Sequence, residues 1–201
     1  MTETTETLEG RELILSHAER LFGERGYKGV SIRELAQACG MTNAALYYHF
    51  ASKEDLFYEM VVRAIRWLGR EMRAVAEEAG PDPAAQLLAV GQAYVQHVQR
   101  RADMLRCVGE AIHYLGRERA HNLKETFDSE IKDLLVDLLR QGQVTGRLRA
   151  FNAELGAHAF LALLGLFAPG GPKGVRLDGE DLERVLDLFL RGVMAGEADD
   201  E

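Results

Sequence analysis

The chain has 201 residues, 47% of them hydrophobic, a length that fits one large domain or two small ones and a composition that can build a packed core. Its 32 acidic and 24 basic side chains leave a formal charge of −8, which at face value argues against nucleic acid or an anionic membrane as partner. The deficit sits at the ends: residues 1–12 carry four glutamates and one arginine, and residues 195–201 carry four carboxylates and no base. Arg20–Lys53 instead holds five basic residues against two glutamates, so a locally positive segment is left for an anionic partner. The opening stretch MTETTETLEGRE lacks the basic and apolar regions of a secretory signal. The longest apolar run, Ala159–Ala168, counts ten residues with Gly165 included, well short of the ~18 of a membrane span. A soluble, cytoplasmic protein without membrane contact is expected. Cys39 and Cys107 form no CxxC, which excludes a disulfide framework or a zinc ribbon, and both read as small buried hydrophobes.

Helical periodicity runs along the whole chain, without sustained polar/apolar alternation between hairpin turns, and the fold class is all-α. Leu13, Ile14, Ala18, Leu21 and Phe22 make one apolar stripe, and Gly26 sits where a left-handed cap ends that helix near Arg25. Ser31-Ile32-Arg33-Glu34 has the capping-box form, so a short helix starts there, buries Ile32, Leu35 and Ala36, and stops at Cys39-Gly40. Thr42 caps the next brief helix, which runs through Phe50 with Leu46 inward. Ser52 caps a much longer one, in which Leu56, Met60, Ala64, Leu68 and Met72 recur beside Phe57, Val61 and Ile65. Gly80-Pro81-Asp82-Pro83 ends it. Further amphipathic helices follow at about Ala84–Arg101, Asp103–Leu115, Arg117–Gln141, Asn152–Phe167 and Asp178–Ala195.

Two short capped helices joined by Gly40 fit a helix-turn-helix over about 31–50, whose second helix would enter the major groove of DNA. Leu46-Tyr47-Tyr48-His49-Phe50, Lys53, Gly26-Tyr27 and Ser31–Ala36, taken together over about Arg11–Val61, resemble the N-terminal domain of the TetR family of bacterial transcriptional regulators. The resemblance implies a three-helix DNA-binding domain over 8–56, a helical effector-binding and dimerisation domain over 57–196, and acidic tails at 1–7 and 197–201. Thr42, Asn43, Ala44 and Ala45 would face base edges, with Asn43 suited to a bidentate pair with adenine and either alanine to a thymine methyl. Tyr47, Tyr48 and His49 suit phosphates flanking the groove, as do Lys28, Ser31, Arg33 and Lys53. Blander roles compete. Leu46, Phe50 and one of the two tyrosines would supply an aromatic centre, Tyr48 having the better odds of reaching DNA; Arg33 could pair with a carboxylate, and Lys53 could be a solvated cation. Many family members carry a basic residue and a glycine where Asn43 and Ala44 stand, and Glu3, Glu6 and Glu9 offer no basic arm.

The resemblance also implies a homodimer, a double-stranded DNA operator and an unknown small-molecule effector, with no cofactor. Candidate interface residues are Leu155, Ala159, Phe160 and Leu163 on one late helix and Leu182, Leu186, Phe189 and Val193 on the other, which could pair as a four-helix interface or finish the monomer core. Trp67, Tyr94, His97, Arg106, Cys107, His113, Tyr114 and Phe127 are large or polar groups on apolar helices, the mixture of an effector pocket. Catalysis is not expected: Glu110 and His113 have a Glu-x-x-His spacing without the second copy a di-iron site needs, no HExxH or HxxxH pair is present, and the 169–174 loop lacks a Gly-Lys-Ser/Thr ending. With so few cations on the recognition helix, log K against log [salt] for DNA is expected to fall with a slope no steeper than about −6 per dimer, measured by titration across a salt series.

Overall fold

The computed structural model describes residues 2–111, 114–168 and 178–194, with side chains described from residue 8 and not at 110–111. The elements are α1 (Thr2–Arg25), α2 (Ile32–Ala38), α3 (Asn43–His49), α4 (Lys53–Glu78), α5 (Pro83–Arg100), α6 (Ala102–Ala111), α7 (Gly116–Phe127), a π-helical turn (Asp128–Lys132), α8 (Asp133–Val144), α9 (Ala153–Gly165) and α10 (Gly179–Val193). The described residues contain no strand, only an isolated antiparallel bridge between Leu148 and Met194. None of the described helices is long and apolar enough to cross a membrane.

The chain packs as two compact units, one of residues 1–65 and 101–126, the other of 66–100 and 127–201. This division departs from the boundary at 56 and 57 expected from the sequence, because α4 runs unbroken through that point and α6–α7 bury Met104, Cys107, Leu115 and Leu123 in the same core as α1–α4. In that first unit Leu46, Phe50, Leu56 and Phe57 are fully buried beside Ile14, Phe22 and Leu35. The aromatic centre is Phe22, Tyr27 and Phe57, with ring centroids 5.0–5.7 Å apart. Neither Tyr47 nor Tyr48 joins it: they are 52% and 73% exposed, so the expected core role for one of them passes to Tyr27.

The second unit packs α5, α8, α9 and α10 around Leu87, Ile131, Leu135, Leu139, Phe160 and Leu186. The segment expected as a single helix from Arg117 contains the π turn, which widens the spiral, while Ile131, Leu135 and Leu139 keep a buried face at four-residue spacing. The interface residues expected from the sequence split here. Phe160, Leu182, Leu186 and Val193 belong to the core of this unit and Leu163 and Phe189 are half-buried, while Leu155 and Ala159 are exposed. An apolar stripe on a single helix shows that the face is buried, not whether the burial is within one chain or between two. Phe160→Ala is accordingly expected to destabilise the protein by about 3–5 kcal/mol, as a core truncation, measured by urea unfolding at fixed protein concentration.

Candidate nucleic-acid interface

Two caps fix the helix-turn-helix. Ser31 Oγ accepts from the Glu34 amide at 3.2 Å while Glu34 Oε2 accepts from the Ser31 amide at 2.8 Å, the reciprocal box that starts α2. The Ser31 hydroxyl, which also donates to Glu34 Oε2 at 2.7 Å, and then the Ser31 amide hold the Glu34 carboxyl below its ordinary pKa. At the turn, Gly40 takes φ 66° and the Met41 amide donates to the Ala36 carbonyl at 2.8 Å. Thr42 Oγ1 then accepts from the Ala45 amide at 3.1 Å and starts α3.

α3 is seven residues long, and its faces are cleanly sorted. Leu46 and the following Phe50 point into the core, and Ala45 is half-buried. Asn43, Ala44, Tyr47 and Tyr48 are exposed together beside the exposed Thr42. Asn43, Tyr47 and Tyr48 make no side-chain hydrogen bond among the described residues, so an amide and two phenols are presented free on one face.

The flanking cations divide differently from expectation. Arg33 is exposed and has no acidic partner among the described residues, and Lys28 is exposed with its ammonium 5.0 Å from the Tyr114 ring centre. Lys53 turns its ammonium back over the aromatic centre, 4.2 Å from the Tyr27 ring centre and 5.8 Å from that of Phe22, and burial lowers its pKa. His49 likewise turns from the free face. Its ring edge packs against Gly10 of α1, leaving its Nδ1 buried, and its carbonyl accepts from Arg11. Arg11 was not singled out by the sequence, since its partners lie 38 to 48 residues away. Ser31, committed to its capping box, keeps an exposed position.

The residues expected to line an effector pocket fall into both units. In the first, Arg106 and the buried Cys107 border a cleft of about 270 Å³ between Gly23–Gly26 and α6, and Tyr114 stacks on Tyr27 at 5.5 Å. In the second, the Trp67 and His97 rings lie 4.7 Å apart, Tyr94 and Phe127 are half-buried against the core, and burial raises the Tyr94 phenol pKa. His113 lies outside the described residues.

Residues 14–60 match the family model described as bacterial regulatory proteins, tetR family. The chain is similar to the crystal structure of the TetR family transcriptional regulator PfmR from Thermus thermophilus, at 30% identity and a TM-score of 0.68, covering 89% of this chain and 97% of that one. It is 29% identical to the HTH-type transcriptional repressor BepR of Brucella suis biovar 1 over 93% of this chain and 88% of the relative. It also resembles AibR, solved in complex with isovaleryl coenzyme A and operator DNA, at 26% identity and a TM-score of 0.63, covering 94% of this chain and all of that one.

Burial penalises the charged form of His97 and holds its pKa below the ordinary 6.5. The unfolded chain therefore takes up that proton first, and stability falls as the pH drops below about 6.5. His97→Asn is expected to flatten this part of the pH dependence, read as the difference in thermal midpoint between variant and parent from pH 7.5 to 5.5.

Proposed function

The chain belongs to the TetR family of bacterial regulatory proteins, and from that premise we propose that it is a ligand-responsive repressor that binds a pseudo-palindromic operator as a homodimer. The observation that carries this reading is the outward face of α3, where Asn43, Ala44, Tyr47 and Tyr48 stand exposed while Leu46 and Phe50 anchor the helix from behind. Asn43 at the first helical position is the base reader, with Ala44 suited to a thymine methyl; the tyrosines, Arg33 and Lys28 serve the flanking phosphates. A dimer would set its two recognition helices about 34–36 Å apart, one turn of DNA, which selects a two-fold sequence.

The dimer contact is best supported on the outward face of α9 and α10. Leu155 and Leu188 are 68% and 70% exposed, and Ala159 and Ala162 are exposed small residues on the same side of α9 as Leu155. Small side chains at these positions let a partner helix approach closely, as in a four-helix arrangement. The effector is a small molecule held by the second unit, with Trp67, Tyr94, His97 and Phe127 as candidate contacts, and the AibR complex favours an acyl thioester as the first class to try. The effector acts by population shift, binding a dimer whose recognition helices no longer match one turn of DNA, so that operator affinity falls by linkage.

Selection of the full chain against a random-sequence duplex library tests the reading: a pseudo-palindrome is expected to enrich, and failure to enrich any sequence overturns it. Asn43→Ala is expected to relax the preference for adenine at one position in each half-site by about 5- to 150-fold. Ala159→Arg is expected to give a monomer by light scattering at micromolar concentration and to lose binding to the selected duplex with helicity intact. Isovaleryl coenzyme A is expected to change Trp67 fluorescence and release the duplex; a thioester series that does neither removes that effector class.

A further inference from the structure

We propose that Arg11 is the positioning residue of the recognition helix, a clamp that fixes the C-terminal end of α3 to α1 and α4 without touching DNA. This rests on the DNA-binding reading above. Arg11 and Gly10 lie outside the segment matched by the family model, residues 14–60.

Both Nη atoms of the Arg11 guanidinium are engaged. One Nη donates to the carbonyl oxygen of His49, the last residue of α3, and the other donates to the Glu59 carboxylate on α4. The same group lies 4.5 Å from the ring centre of Phe50, the residue that closes α3. The planar fork thus joins three successive constraints: a helix-end carbonyl, an anion and an aromatic face. A cation at a helix C-terminus also faces the negative end of the helix dipole.

Gly10 completes the clamp. A Cβ at that position would lie 2.9 Å from both Cε1 and Nε2 of His49, so a side chain there would push the imidazole away from α1. With the His49 ring held inward and its carbonyl held by Arg11, the end of α3 is fixed on both its backbone and its side chain. A helix of seven residues has too few internal hydrogen bonds to hold its own direction, so these contacts set the angle at which Tyr47, Tyr48 and Asn43 are presented. Because Glu59 neutralises Arg11, the guanidinium adds no free charge for a phosphate.

The test compares two affinities, for the duplex enriched from the random library and for a duplex of scrambled sequence, in the full chain. Arg11→Gln is expected to weaken the enriched duplex about five- to a hundredfold, the cost of one misplaced base-edge contact, with the scrambled duplex changed less than twofold and the salt slope unaltered. Arg11→Lys keeps the charge but not the fork and is expected to behave like Arg11→Gln; full activity in Arg11→Lys overturns the clamp. Gly10→Val, which leaves Arg11 and Glu59 in place and displaces the His49 ring, is expected to lose the same selectivity with native helicity, and decides the matter if Arg11→Gln does not fold. Equal loss for both duplexes with a salt slope shallower by about 1 per protomer means a direct phosphate contact and overturns the proposal. So does a fall in thermal midpoint with the ratio of the two affinities unchanged. If the parent chain enriches no duplex at all, the DNA-binding reading fails and the clamp with it.

Discussion

Burial of Leu46 and Phe50 is the constraint on which the rest depends. Two turns of helix are marginal in water, and α3 exists because its inward side chains enter the core built by Ile14, Phe22, Leu35 and Phe57. The caps at Ser31 and Thr42 and the left-handed Gly40 set where α2 and α3 begin and how they turn, but the apolar face decides that α3 lies on the protein at all. Everything outward on α3 is exposed as a geometric consequence of what is inward.

The electrostatics are quieter than the sequence suggests. The positive segment Arg20–Lys53 holds five cations, yet Arg20 pairs with Glu24 at 3.2 Å, Arg25 with Glu34 at 3.2 Å, and Lys53 lies over aromatic rings. Elsewhere in the first unit, Arg63 and Arg101 both pair with Glu19, and Arg119 with Asp55 at 3.1 Å. Such pairs are partly exposed and individually weak in stability, but they spend charge that would otherwise project toward a polyanion. Near the helix-turn-helix, Arg33 is exposed with no acidic partner among the described residues, and the Lys28 ammonium lies 5.0 Å from the Tyr114 ring centre.

What was legible in the sequence was local. Capping boxes, glycine turns and helix periods act over a few residues, so α2 and α3 begin at the expected caps and α1 ends at Gly26 as read. Contacts between distant segments were hidden. Arg11 meets residues 38 and 48 positions away, and Lys53 reaches Tyr27 from beyond α2 and α3, and no spacing rule announces either. The late helices failed for a different reason: α9 is apolar nearly all round, with Ala157, Phe160 and Leu164 inside and Leu155, Ala159 and Ala162 outside. A helix without a polar face carries no phase, so the stripe that seals the unit and the stripe left open look alike until the neighbours are known. The unit division was hidden likewise, because α4 carries an unbroken apolar repeat through both units.

The sorting of α3 has one more consequence. Asn43, Ala44 and Tyr47 are exposed, while Leu46 and Phe50 are buried and Arg11 donates to the carbonyl that ends the helix. On the proposed reading, sequence preference and fold stability therefore rest on different residues of the same two turns. Exposed positions of this kind tolerate most substitutions with little change in folding free energy, so a duplicated gene could drift to a new regulatory site one residue at a time. The scaffold would persist while the vocabulary it reads was replaced.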